Sequence, residues 1–137
     1  MKKPEAVFWD WLSRTTGSLI DYQRHEDMYS VGIPDLSYGV KGVNGWIELK
    51  AYAEWPTGKL SHYTAKQANW LTQRGAHGGS CFILIRFGDD IAIFDHQSAI
   101  GLLDAKGAEI PKLAFKVWEK VFSVSEFIDI ISGGTCK

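Results

Sequence analysis

Residues 32–50 read Gly32-Ile33-Pro34-Asp35-Leu36-Ser37-Tyr38-Gly39-Val40-Lys41-Gly42-Val43-Asn44-Gly45-Trp46-Ile47-Glu48-Leu49-Lys50. From Gly45 onward, Trp46, Glu48 and Lys50 alternate with Ile47, Leu49 and Ala51, so a strand here sends the polar pair to one face and the apolar set to the core. Ile33 to Val40 is expected as a partner strand, with the Gly and Asn of Lys41-Gly42-Val43-Asn44 forming the hairpin connection. A four-residue loop that pairs Val40 with Gly45 sets Ser37 opposite Glu48 and Asp35 opposite Lys50. Two carboxylates and an amine then share a face, and a slip of one residue would send Asp35 to the other side.

Two hard oxygen ligands beside an ammonium suit Mg2+, which keeps several waters and uses few protein carboxylates. A metal held this way polarises a phosphoryl oxygen and makes hydroxide available near neutral pH. Lys50 would orient or deprotonate that water, or stabilise the charge growing on phosphorus.

The flanks place this hairpin in an α/β context. Pro4 to Arg14 carries Val7, Phe8, Trp11 and Leu12 at helical spacing, with Pro4 tolerated in the first turn and Gly17 ending the helix. Ser18 to His25 alternates loosely as a first strand. Glu26-Asp27 reads as a solvated strand end. His25, His62, His77 and His96 read as structural histidines. After the Glu48 strand, Ala53 to Leu60 is a loop marked by Pro56 and Gly58. Thr64-x-x-Gln67 has the form of a capping box, opening a helix that Gly75 stops. Ser80 to Phe87 is a nearly continuous apolar run, expected as a strand buried on both faces, followed by a short strand at Ile91 to Phe94. Beyond it, Gln97 to Leu103 reads as helix, Ala114 to Phe122 as strand or helix, and Ser125 to Ile131 as a closing helix capped by Ser123 or Ser125. Gly133 to Lys137 should fray.

Pro34-Asp35, Glu48 and Lys50, in this order of elements, resemble the signature of the PD-(D/E)XK nuclease superfamily. The fuller pattern of G-I-P-D-L, W-I-E-L-K and the later Gln67 is similar to its small VRR-NUC-like and phage-type endonucleases, and more distantly to Holliday-junction resolvases. The resemblance covers about residues 4 to 87. It implies a restriction-endonuclease-like αβββαβ core, a mixed central sheet flanked by helices. It also implies that Asp35, Glu48 and the backbone carbonyl of Leu49 hold Mg2+ or Mn2+, that Lys50 is the catalytic amine, and that Gln67 contacts Lys50, a water or the scissile phosphate. As the end of a capping box, Gln67 would instead reach back to its helix start, and one side chain is not expected to do both fully. Glu5 either completes the metal site, as a first-helix acid does in many relatives, or answers the helix dipole.

Composition fits one domain over residues 1–137, with a core at about 4–94 and a C-terminal elaboration at 95–137. No apolar run approaches a bilayer span and the N-terminus lacks a signal-peptide core, so a cytoplasmic protein is expected, in the host cytoplasm if phage-encoded. Cys81 and Cys136 have neither zinc spacing nor a disulfide framework.

The net charge of −1 opposes simple electrostatic binding to DNA. Its distribution does not: residues 36–86 hold six basic against two acidic residues, a net of +4, whereas residues 87–137 hold five against eight, a net of −3. The basic excess accompanies the hairpin, where local fields steer a polyanion. Candidate DNA contacts are Lys59, Tyr63, Lys66 and Trp55, which either stacks on a base or folds back onto the domain. The function expected is metal-dependent endonucleolytic hydrolysis of DNA by a homodimer or higher homo-oligomer, since two strands require two sites or two encounters. A junction- or fork-selective resolvase, a homing-type site-specific endonuclease and a non-catalytic nucleic-acid-binding module remain as alternatives.

Overall fold

The structure is a computed structural model that describes residues 3–25 and 32–133. The expected features at Glu26-Asp27, Cys136 and the last four residues lie outside the described residues. Helix α1 (Pro4–Thr16) leads through a 3-10 turn at Gly17–Leu19 to strands β1 (Asp21–Arg24), β2 (Leu36–Val40) and β3 (Val43–Tyr52). Helix α2 (Ala65–Ala76) crosses to β4 (Ser80–Phe87), which turns into β5 (Asp90–Asp95). Short helices α3 (Gly101–Asp104) and α4 (Glu109–Leu113), strand β6 (Lys116–Trp118) and helix α5 (Val124–Ile131) follow among the described residues.

The six strands form one sheet in the order β1-β2-β3-β4-β5-β6, with every neighbouring pair antiparallel except β3 and β4. A parallel pair needs a crossover, and α2 supplies it. This is the mixed α/β sheet with flanking helices expected from the order of elements.

The hairpin is tighter than the expected four-residue loop. Val40 pairs with Val43, leaving only Lys41 and Gly42 between the strands. Their φ values of 49° and 79° are those of the two-residue turn whose twist matches that of the strands. The register moves by two residues, which preserves which face each side chain occupies. β2 begins at Leu36, later than expected, and Asp35 lies at its mouth, where its carbonyl accepts the His25 N–H at 2.8 Å.

Both faces of the sheet are covered. On one, Phe8 and Leu12 of α1 pack on Leu36, Val40, Ile47, Leu49 and Leu84. The same cluster takes in Trp118 and the apolar stripe of α5, Phe127, Ile128, Ile130 and Ile131, so the residues after 94 contribute to the core rather than decorating it. The Tyr38 hydroxyl donates to the Ile131 carbonyl at 2.6 Å and ties α5 to β2. On the other face, Ala68 and Leu71 of α2 cover Ile83, Ile85, Ala92 and Phe94, with Leu102 and Ile110 closing one end. Truncating one of these fully buried side chains to Ala should cost about 2–5 kcal/mol.

Two helix boundaries have local causes. Gly17, at φ 56°, ends α1 as expected. Gly75 does not end α2, which continues to Ala76; its missing side chain leaves room for the His96 ring. Ser123 caps α5, accepting the Glu126 N–H at 3.2 Å.

Candidate active site

The candidate residues meet on the α2 face of the sheet, where β2 and β3 diverge. Glu48 and Lys50 stand two residues apart on β3 and point the same way, opposite Ile83 and Ile85 of β4. Asp35 joins them at the mouth of β2, where its Oδ2 accepts the Leu49 N–H at 2.9 Å. Gly32 sets the approach: its φ is +94°, and a Cβ there would stand 2.8 Å from the Lys66 carbonyl oxygen. The strand mouth is thereby packed against the start of α2, and only glycine fits.

The sequence pattern does not reveal how deeply this polar pair is buried. Glu48 is 2% exposed and Lys50 4%. Lys50 Nζ lies 3.4 Å from Glu48 Oε2 and donates to the His62 carbonyl at 2.7 Å. Burial, then the Asp35 carboxylate, push the Glu48 pKa up to about 8 against the opposing pull of Lys50. His62 holds φ 61°, a left-handed conformation uncommon for a residue with a side chain, and its carbonyl anchors the amine. His62 is one of the four histidines expected to be structural, and its backbone role leaves no signal in residue type.

Gln67 closes the capping box and also reaches the active face, where its partner is Glu48 rather than the Lys50, water or phosphate that the resemblance implies. Its Oε1 accepts the Thr64 N–H at 3.1 Å, and its own N–H meets Thr64 Oγ1 at 3.3 Å, closing the capping box. Its Nε2 donates to Glu48 Oε2 at 3.0 Å. The primary amide has an acceptor end and a donor end, and each has its own partner.

Glu48 Oε2 is thus engaged by two donors, while Oε1 is buried with no hydrogen-bond partner among the described residues. A buried carboxylate oxygen left unpaired is costly unless something positive completes it. Together with Asp35 it fits a hard divalent cation that retains several waters. Glu5, in the first turn of α1, feels Lys50, Asp35 and His62, and burial holds its carboxyl above its ordinary pKa. Among the described residues, no group of three or more His, Cys, Asp or Glu side chains converges to hold a metal.

Several candidate DNA contacts are otherwise engaged. Trp55 folds back: its ring stacks on Phe87 at 4.0 Å and its indole N–H donates to Asp90 at 2.8 Å. A large aromatic in a polar loop finds its partner across the sheet end, where sequence proximity gives no hint. Tyr63 is buried, with its hydroxyl on the Ala99 carbonyl at 2.6 Å and its pKa raised by burial. Lys59 pairs with Asp104 at 3.3 Å on the surface. Lys66 is exposed at the start of α2. A cluster beside the site is not among the residues expected from the sequence: Trp46, on the Glu48 face of β3, meets Trp70, His25 and Arg74. Strand parity put Trp46 there, and the i, i+4 spacing of Trp70 and Arg74 put both on one side of α2.

No helix among the described residues is long and apolar enough to cross a membrane. No protein-family model matches the chain, and comparison with curated proteins finds no match. Among solved structures, it resembles the Holliday junction resolvase Hjc of Archaeoglobus fulgidus, an archaeal hyperthermophile. The likeness spans 77% of this chain and 94% of the resolvase, with a TM-score of 0.50 and 18% identity. The six-stranded mixed sheet flanked by helices therefore has the α/β fold of that resolvase.

Proposed function

We propose that the chain is a deoxyribonuclease that hydrolyses phosphodiester bonds with Mg2+ or Mn2+ held by Asp35, Glu48 and the Leu49 carbonyl. The observation that carries this reading is the Glu48 carboxylate, with Oε2 fixed by Gln67 and Lys50 and Oε1 buried and unpaired among the described residues. The bound cation would supply polarisation of a phosphoryl oxygen and a more acidic attacking water. Gln67 holds Glu48 through Oε2, and Oε1 would be the oxygen left to bind a cation. The Leu49 N–H orients Asp35 in the same way. Lys50, anchored by the His62 carbonyl, keeps an ammonium beside the reacting phosphate, where it stabilises the charge of the five-coordinate phosphorus or relays the water's proton. The water oxygen bonds to phosphorus, the P–O3′ bond breaks, and the leaving 3′ oxygen takes a proton, leaving a 5′-phosphate and a 3′-hydroxyl.

Cleavage of both strands calls for two sites, which favours a homodimer. A second reading, a resolvase selective for branched DNA, is favoured by the fold likeness to a Holliday junction resolvase. The two readings separate on a substrate panel of plasmid, linear duplex, single-stranded, forked and four-way-junction DNA, each with Mg2+ or with EDTA. Metal-dependent cleavage of all forms supports the general nuclease, and cleavage confined to branched forms supports the resolvase. No cleavage of any form in Mg2+ or Mn2+ would sink both.

A further inference from the structure

Trp46 lies two residues before Glu48 on the same face of β3, about 7 Å along the strand. Beside it a pocket of about 420 Å³ opens between β1, β2, β3 and the C-terminal end of α2. That is the size range of small-ligand sites. Its floor is Gly39, which pairs with Asp21 of β1 and Asn44 of β3. The missing side chain makes the depression, and a Cβ there would already stand 3.2 Å from Asn44 Oδ1.

The rim and wall differ in chemistry. Around the floor stand Asp21, Gln23, Ser37 and Asn44, a carboxylate, two amides and a hydroxyl, the last already bonded to His25 Nε2 at 2.9 Å. The wall is Arg74, whose guanidinium lies 4.6 Å from the Trp70 ring centre and 5.6 Å from that of Trp46. Gly79 permits this pose, since a Cβ there would come 2.7 Å from Arg74 Cγ. The cation therefore lies against two indoles that meet edge to face at 67°. Hydrogen-bonding groups low in a recess and a planar cation along its side match a nucleobase entering edge first and stacking on the guanidinium.

We propose that this pocket holds an unpaired base of the DNA strand whose neighbouring phosphate lies at Asp35 and Glu48. The proposal rests on the nuclease reading for the position of that phosphate. A base still paired in a duplex offers only its groove edges and cannot enter a recess in the sheet, so the pocket selects strands with a free or extruded nucleotide next to the cut.

The test is binding in EDTA, where no cleavage occurs, followed by cleavage in Mg2+. A fluorescein-labelled 12-nucleotide single strand and the matching duplex are titrated with wild type, Gly39→Leu, which fills the recess, and Arg74→Gln. Wild type should prefer the single strand, and each variant should lose about 5- to 100-fold of that affinity while its duplex affinity changes less than about twofold. Should Gly39→Leu not fold, Asn44→Ala and Arg74→Gln, both on exposed side chains, carry the comparison. Variants that bind the single strand as tightly as wild type would overturn the proposal, as would a deoxynucleoside monophosphate that binds as tightly as the strand. Pocket-dependent binding without cleavage in Mg2+ would leave the pocket standing and the nuclease reading refuted. Cleavage of single strands by wild type and pocket variants alike would do the reverse.

Discussion

Gln67 Nε2 sits 3.0 Å from Glu48 Oε2 while the other end of the same amide caps α2. One side chain thus links the start of a helix to the most buried carboxylate of the candidate site. The link separates fold from function by substitution. Gln67→Glu keeps a side chain that accepts the Thr64 N–H, so the helix should persist. It also sets a second carboxylate against Glu48, so cleavage should fall by at least about 10-fold with little change in Tm. Gln67→Ala also removes the bond from the Thr64 N–H, while the Thr64 hydroxyl keeps its bond to the backbone N–H of residue 67, and should cost about 0.5–1.5 kcal/mol in thermal or urea unfolding.

The raised Glu48 pKa predicts a stability profile for the metal-free protein. The unfolded carboxyl ionises near 4.5 and the folded one near 8. Between these values the folded state holds the extra proton, so stability is full below about pH 4.5 and declines as pH rises toward 8. Thermal unfolding in EDTA should show this decline, and Glu48→Gln should flatten it. A wild-type profile that rises over the same window would contradict the burial argument.

Asp35 is positioned by a hydrogen bond that an amide can also accept. Asp35→Asn should retain the contact with the Leu49 N–H and remain folded. It should nonetheless lose most Mn2+ affinity by calorimetry, because the carboxylate charge is gone. Unchanged Mn2+ binding by a folded Asp35→Asn variant would place the cation elsewhere.

The four candidate DNA contacts should behave differently from one another. Lys66→Ala should weaken DNA binding without regard to sequence and lower the salt slope by about 1. Tyr63→Phe should instead cost about 1 kcal/mol of stability, by losing its bond to Ala99, and leave DNA affinity unchanged. Lys59→Ala breaks only an exposed pair and should change stability by less than about 1 kcal/mol. Trp55→Ala should act mainly on stability, through Phe87 and Asp90. Salt-dependent anisotropy titrations together with unfolding curves distinguish these outcomes.

The parity of the Glu48 strand was legible because a period of two depends only on the residues themselves. The hairpin register was not: Lys41-Gly42 and the longer Lys41-to-Asn44 loop both carry turn residues, and only the left-handed pair at Lys41 and Gly42 decides between them. An error of two residues was harmless, since it kept Asp35, Glu48 and Lys50 on one face. Other features depend on contacts distant in sequence. The Tyr38 bond to Ile131 spans 93 positions and brings α5 into the core, and Trp55 finds Asp90 across 35. The burial of Glu48 and Lys50 belongs to this class, because it is created by α2 and the segment before it, which pack over a strand whose pattern looks half-exposed.

The central claim is that Lys50 serves phosphodiester hydrolysis with a metal at Asp35 and Glu48, and a single-turnover assay tests it directly. Wild type and Lys50→Met, which preserves the buried stem, are compared on four-way-junction and linear duplex DNA in Mg2+ and in EDTA, with folding checked by circular dichroism. Wild type should cleave only with the metal, and folded Lys50→Met should be slower by about 100-fold or more. Cleavage at equal rates by both proteins, or wild-type cleavage that survives EDTA, would contradict the account.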